Sequence, residues 1–406
     1  MNCRHCAKPL VHTALDLGFA PPSNAYLTAD DLNKPEKYFP LRLKVCDGCW
    51  LVQTEDYADA AELFTQDYAY FSSTSKSWLE HAKNYCQQIT QRLRLDESSF
   101  VIEVASNDGY LLRNFVAAGV PCVGVEPTAS TAEAAKAIGI PVLQEFFGES
   151  LALQLLTKGQ QADLIIGNNV YAHVPDINDF TRGLKAALKP DGIITLEFPH
   201  LMRMLEHSQF DTVYHEHFSY LSLWTVQRIF EAADLRVFDV EELSTHGGSL
   251  RLFGCHADHP RLNEPSVQVL VDEESRHGLR RLHPYEALQT NAERIKNDLL
   301  TFLIDQKRAG KRVVAYGAAA KGNTLLNYAG VKPDLLPVVY DAAAAKQNRF
   351  MPGSHIPILP PELKMMSPDY VLILPWNIAA EVKQVNARLA EIGTRFVTAI
   401  PSLRFT

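Results

Sequence analysis

The chain has 406 residues, 47% of them apolar and 21% charged, an ordinary globular composition with enough length for two or three buried cores, and this excludes a solvated, disordered polypeptide. The 39 Lys and Arg against 47 Asp and Glu give a formal charge of −8, which excludes a general nucleic-acid binder and leaves room for a local anion pocket. The start, M-N-C-R-H-C, has no apolar stretch behind a basic leader. Apolar runs such as Tyr370 to Trp376 fall far short of the roughly 20 residues of a membrane-spanning helix, so a cytoplasmic chain without a membrane partner is expected.

Four of the seven cysteines form two C-x-x-C pairs, Cys3 with Cys6 and Cys46 with Cys49. Each pair turns two thiolates toward one point, and two pairs complete a tetrahedral sulfur cage suited to Zn²⁺ with no open position, hence a structural metal. Such a staple suits the short, proline-rich segment 1–68, which has little core of its own. The alternatives are four reduced core cysteines, a redox pair, or a nucleic-acid zinc ribbon; the last would need a dense basic patch that the segment lacks.

From Trp78 to Leu95 apolar residues recur about once per turn, which predicts an amphipathic helix. Strands and helices then alternate over 69–260. Strands are expected at Val101–Val104, at Cys122–Val125, ending near Leu143, at Leu164–Gly167 and at Ile193–Phe198, the last following a turn at Leu188–Gly192. This pattern predicts an α/β, doubly wound parallel sheet covered on both faces. Ligands of such sheets lie beyond the carboxyl ends of the strands, so Glu103, the loop containing Ala105, Asn107, Asp108 and Gly109, Glu126 with Pro127, and Asn168 with Asn169 are expected around one crevice. The loop A-S-N-D-G has one glycine and an acid where a pyrophosphate would sit, which disfavours a dinucleotide and hence a dehydrogenase. A cofactor with a ribose, no phosphate and a cationic end fits better, and S-adenosylmethionine is such a molecule.

A third unit, 261–406, begins with helical spacing through Leu288–Asp305. Strands at Arg312–Tyr316, Val338–Tyr340 and Tyr370–Leu374 suggest a second, Rossmann-like α/β domain. Small residues with Lys321 and Asn323, opening a helix, make a plausible cradle for a diphosphate.

The chain resembles the zinc-containing sugar C-methyltransferases that act on nucleotide-linked 4-keto deoxysugars. The resemblance spans nearly the whole length. It is carried by the two cysteine pairs, Y-F-S-S-T-S-K-S-W from Tyr70, E-V-A-S-N-D-G-Y-L-L from Glu103, G-V-E-P from Gly124 and G-N-N-V-Y-A-H-V-P-D from Gly167. It continues with E-F-P-H from Glu197, Q-F-D-T-V-Y-H-E-H-F-S-Y from Gln209, T-H-G-G-S-L-R from Thr245 and A-K-G-N-T-L-L-N-Y from Ala320. It implies a class I methyltransferase-like fold flanked by a zinc-binding segment and a sugar-nucleotide-binding domain.

Methylating a carbon beside a ketone needs a base for the carbon-bound proton, a donor for the enolate oxygen and a methyl group in line. Tyr214, His215, Glu216 and His217 form the densest cluster of such groups. Read locally, they also suit a capped aromatic loop. His215 and His217 alone underdetermine a catalytic metal. The resemblance implies His217 as the base, assisted by Tyr214 and Glu216, with His173 and Tyr68 as further active-site residues. Tyr70, Ser72, Ser73 and His246 are expected near the substrate, although His246 before Gly247 and Gly248 also fits a plain hairpin. Two departures from the family pattern, Ala319 and the run D-A-A-A-A-K-Q-N from Asp341, bear on the fit of the nucleotide. The expected partner is therefore a nucleotide-linked keto sugar, and a monomer is expected. O-methylation of a sugar or polyketide hydroxyl, or a non-catalytic sugar-nucleotide-binding protein, are the alternatives.

Overall fold

The computed structural model describes residues 1–55, 57, 71–361 and 367–405. Three strands open the chain: β1 (His12–Ala20), β2 (Phe39–Val45) and β3 (Val52–Thr54). Helix α1 (Lys76–Leu93) starts where the Ser75 hydroxyl accepts the Trp78 amide and stops where Arg94 turns left-handed; Ala82, Tyr85, Cys86 and Ile89 are its buried stripe.

An alternation follows: β4 (Val101–Val104), α2 (Leu112–Ala117), β5 (Cys122–Val125), α3 (Ala129–Ala137), β6 (Val142–Leu143), α4 (Glu149–Thr157), β7 (Ala162–Asn168), α5 (Ile177–Ala187) and β8 (Leu188–Pro199). Then come α6 (Leu201–Glu206), β9 (Ser219–Tyr220), α7 (Leu223–Glu231) and the hairpin β10 (Leu235–Leu243) and β11 (Ser249–His256). Helices α8 (Pro265–Arg276) and α9 (His283–Arg308) lead to β12 (Val313–Tyr316), α10 (Ala320–Ala329), β13 (Val339–Tyr340), β14 (Ile358–Leu359) and β15 (Tyr370–Ile373). Short helices α11 (Ala379–Val385) and α12 (Ala387–Glu391) precede β16 (Arg395–Thr398) and β17 (Arg404–Phe405).

The middle sheet has the order β10-β11-β8-β7-β4-β5-β6. Its pairs from β8 through β6 are parallel, and β11 enters antiparallel beside β8. All four residues of β4 are buried, as a strand covered on both faces requires. This is the doubly wound α/β sheet that the sequence pattern predicts. The third sheet, β14-β13-β12-β15-β16-β17, is parallel except for its last strand.

Three features were not legible in the sequence. Leu188–Gly192 is not a turn ahead of a strand: β8 already pairs at Leu188 with Ala162, and the pairing resumes at Ile193 with Leu164, so the Pro-Asp-Gly residues form an irregularity within the strand. The antiparallel sheet β1-β2-β3 takes its fourth strand, β9, from far along the chain, through Val52 with Tyr220. The expected division at 260/261 precedes α8, yet Val267 and Leu270 of that helix belong to the core beneath the middle sheet. The expected division at 68/69 lies outside the described residues.

Helix α9 buries Leu288, Ala292, Ile295, Leu299 and Phe302 in a core shared by Leu15 and Leu43 of the first sheet and Leu326 and Val339 of the third unit. Truncating a fully buried leucine such as Leu299 would cost about 2–5 kcal/mol. The first and third sheets are therefore welded together, and the crevice of the middle sheet opens beside them.

Candidate active site

Where β4 ends, the chain makes a compact loop with Ala105 (φ 55°), Asn107 (φ 50°) and Gly109 (φ 77°) in the left-handed region. Its Ser106 packs over Gly124 of β5, where a side chain would collide with it. The Glu126 carboxylate, at the end of β5, accepts the backbone N–H groups of Asn107 and Thr128, both at 2.9 Å, which locks the acid to the loop. Asn107 Oδ1 in turn accepts the Ser72 amide at 2.9 Å. At the end of β7, neither amide atom of the buried Asn168 side chain has a hydrogen-bond partner among the described residues, and Asn169 turns left-handed at φ 54°.

A cavity of about 550 Å³ opens over these strand ends. Ala105, Asn107, Glu126, Pro127, Asn168 and Asn169 line it, together with Ser72 and His246. His173, Tyr214, Glu216, His217 and Lys321 line the same cavity. Other expected residues lie off it. Glu103 is buried beneath the floor, where desolvation and the carboxylates of Glu126 and Asp108 hold its carboxyl well above the usual range. Asp108 accepts the amide of the exposed Ser73, Gly109 sits against Ile140 and Ala135, and Asn323 donates to the carbonyl of Ser23. Tyr68 and Tyr70 lie outside the described residues.

The 3-10 turn Phe210–Thr212 leads into the Tyr214–His217 stretch. His217 Nδ1 lies 2.9 Å from the Thr212 carbonyl oxygen, which can only accept, so this nitrogen carries the proton. Nε2 therefore presents its lone pair, and the Tyr214 hydroxyl donates to it at 2.8 Å. Burial, then the neighbouring His173 ring 4.6 Å away, hold His217 well below the ordinary imidazole range and hence neutral. Burial likewise lowers His173 and His246 to about 4. His246, left-handed at φ 55°, accepts the Asn169 amide at 3.1 Å.

Other elements grip the stretch on several sides. Asn24 donates to both carboxylate oxygens of Glu216 at 2.8 Å, Thr54 to the carbonyl of His217 at 3.1 Å, and Thr324 of α10 to the carbonyl of Val213 at 2.8 Å. His215 turns away from the cavity: its Nε2 donates to the Pro40 carbonyl at 3.2 Å and its ring packs edge-on to Phe39.

The sequence reading missed Asn24, Thr212, Asp211, Trp376 and Lys346. Lys346 lines the cavity and donates to the Ala318 carbonyl at 2.9 Å. Its only signal was that it is the sole cation in the departing run after Asp341. Asp211 stood in the quoted Q-F-D-T string, but nothing there set it apart from a solvated turn.

At the amino end, Cys3 and Cys49 approach to 3.5 Å, as do Cys6 and Cys46, and all four sulfurs lie within 4.8 Å of one another. Left-handed Ala7 (φ 60°) and Trp50 (φ 62°) close the two knuckles, each donating its amide to the carbonyl of the first cysteine in its pair. Zn–S bonds of about 2.3 Å put tetrahedral sulfurs about 3.8 Å apart, so the cage fits zinc, with four thiolates and no open position. The Asn168 amide, buried at the cavity wall without a partner among the described residues, and the Glu126 carboxylate on the same wall fit S-adenosylmethionine in the same manner.

The C-methyltransferase NovU of Streptomyces niveus is 33% identical over 404 residues, covering 99% of this chain and 96% of that protein. The chain belongs to the C-methyltransferase family. Models described as "putative zinc binding domain", methyltransferase domain and C-methyltransferase C-terminal domain match this C-methyltransferase at residues 3–64, 78–240 and 244–401. Solved structures similar to it include an S-adenosylmethionine-dependent methyltransferase from Clostridium acetobutylicum, 8% identical with TM-score 0.35, covering 46% of this chain and 92% of that one. Another is magnesium protoporphyrin IX methyltransferase from Synechocystis, 11% identical with TM-score 0.35, covering 44% and 83%. On its full-length relative, its family models and its four-cysteine cluster, the C-methyltransferase is an S-adenosylmethionine-dependent enzyme with a structural zinc site.

Proposed function

We propose that this C-methyltransferase methylates the carbon beside the keto group of a nucleotide-linked 4-keto-6-deoxysugar, in deoxysugar biosynthesis, with His217 as the base. One observation carries the reading: a neutral imidazole, its tautomer fixed by the Thr212 carbonyl, lies in the same cavity as the strand-end residues Glu126 and Asn168.

Bound S-adenosylmethionine supplies an electrophilic methyl group, and Asn107, Glu126, Asn168 and Asn169 would hold it. Lys321 and Lys346, both on the cavity wall, suit the diphosphate of a nucleotide sugar. The Tyr214 hydroxyl stands on the basic nitrogen, so proton removal runs through the pair: the phenol oxygen takes the carbon-bound proton as its own passes to Nε2 of His217. The Thr212 carbonyl then accepts from the remaining Nδ1–H of the imidazolium. Glu216, held by Asn24, adds a carboxylate to the cavity wall that favours this cation. In this reading residues 1–68 are the zinc staple, 69–260 with α8 hold the methyl donor, and the remainder of 261–406 holds the nucleotide. The setting is a cytoplasmic monomer; no helix among the described residues is long and apolar enough to cross a membrane.

His217→Asn should bind S-adenosylmethionine normally by calorimetry while losing both methyl transfer and solvent deuterium exchange at the reacting carbon. Exchange persisting at the normal rate would remove His217 from the role. A panel of nucleotide-linked 4-ketosugars with labelled donor, read by product mass, identifies the substrate; methylation without deuterium wash-in would point to oxygen instead.

A further inference from the structure

Behind His217 lies a chain of contacts that ends on a residue of the third unit. The imidazole is fixed by the Thr212 carbonyl, and the preceding residue, Asp211, is fully buried in the same 3-10 turn. The Trp376 indole N–H donates to Asp211 Oδ2 at 2.8 Å. Trp376 follows β15, so the hydrogen bond ties the third sheet to the root of the Tyr214–His217 stretch.

The indole ring has two further neighbours. The Lys321 ammonium, on the cavity wall, lies 4.6 Å from its centroid and donates to Asn377 at 2.7 Å. Gly247, beside His246, lies so close that a Cβ there would come within 2.3 Å of Trp376 Cη2, and the Gly247 carbonyl is held by Gln209 at 2.8 Å. Burial pushes the Asp211 carboxyl up to about 6, against the lowering effects of Lys321 and of the Trp376 N–H.

We propose that Trp376 is a positioning residue of the reaction: its N–H anchors Asp211 and thereby the Thr212 carbonyl that orients His217, while its ring supports the cation that receives the anionic part of the substrate. This rests on His217 being the base. The two halves of the side chain then have separable effects. Hydrogen bonding governs the turnover step, and the aromatic face governs substrate affinity.

Trp376→Phe keeps a ring beneath Lys321 and removes the N–H. It should lower kcat and the deuterium exchange rate roughly tenfold or more, as expected when a catalytic group is misplaced, with the substrate KM changed by less than about threefold. Trp376→Ala should raise KM as well. Asp211→Leu should match Trp376→Phe in kcat, Asp211→Asn, which keeps an acceptor oxygen, should retain most of it, and the double variant Trp376→Phe with Asp211→Leu should lose no more than either alone. Unchanged kcat in Trp376→Phe, or multiplicative losses in the double variant, would overturn the proposal. So would failure of Asp211→Asn to rescue, or loss of S-adenosylmethionine binding in Trp376→Phe, because either assigns the residue to general folding. His217→Asn serves as the parallel control: if it retains exchange, the base assignment fails on its own account, whatever the Trp376 variants do.

Discussion

Gly124→Ala tests how the loop proposed to hold the methyl donor is built. A Cβ at Gly124 would lie 2.2 Å from Ser106 Oγ, 2.8 Å from Ser106 Cβ and 3.3 Å from Leu112 Cδ1. Ser106 is fully buried between the left-handed residues Ala105 and Asn107, so rotation of its side chain offers no escape and the loop backbone must move. Such overpacking costs about 1–3 kcal/mol. For a unit of this size each kcal/mol shifts the midpoint by about 2–4 °C, so thermal unfolding should fall by several degrees. The same displacement loosens the 2.9 Å contact between the Asn107 amide and Glu126, so the dissociation constant for S-adenosylmethionine should rise about tenfold, equivalent to about 1.4 kcal/mol. Calorimetric titration and thermal melts measure both. Ser106→Gly in the Gly124→Ala background removes both clashing serine atoms, and because Ser106 Oγ has no hydrogen-bond partner among the described residues, no bond is sacrificed. Recovery of donor affinity in that double variant is expected. Unchanged affinity and melting in Gly124→Ala, or no recovery in the double variant, would refute the packing argument.

Cys46→Ser should abolish stoichiometric zinc by metal analysis and lower the thermal midpoint, because β2 and β3, which flank the knuckle, carry β9 and the neighbouring His217 segment; retention of full zinc would count against the four-sulfur site. Thr324→Val leaves the buried Val213 carbonyl without its donor and should destabilise by about 1–3 kcal/mol in denaturant unfolding, with no change expected if that bond is idle. His246 is neutral in the folded chain, with its pKa lowered to about 4, so the folded state binds fewer protons than the unfolded state. Its contribution is full above the unfolded value of about 6.5 and is lost as pH falls from there toward 4, so His246→Gln should lose less stability than the parent between pH 7.5 and pH 5. Equal losses in the two proteins would contradict this.

Much of the middle sheet was legible because its parallel strands are short apolar runs with turn residues between them: Val101–Val104 is buried along its whole length, and Cys122–Val125 nearly so. Leu188–Gly192 misled because Pro-Asp-Gly is turn chemistry wherever it falls, and only pairing with Ala162 on the adjacent strand fixes it inside β8. Strand β9 was hidden for a different reason. Two residues have no periodicity, and their partner Val52 lies far earlier in the chain. For the site, strand-end position pointed to Glu126 and Asn168, and a dense local cluster together with the family resemblance pointed to Tyr214 and His217; all four line the one cavity. Nothing local distinguishes Trp376 from a packing tryptophan, or Asn24 from a loop asparagine, since each acts through a contact with a distant segment.

The short stretch from Asp211 to His217 is tied to Asn24 and Thr54 on one side and to Thr324 and Trp376 on the other. For anyone building hybrids of related enzymes, this sets where to splice. Exchanging the carboxyl-terminal part alone would confront the inherited, proposed reaction centre with foreign scaffolding, whereas transplanting that part together with this heptapeptide and its amino-terminal braces would carry the whole clamp across intact.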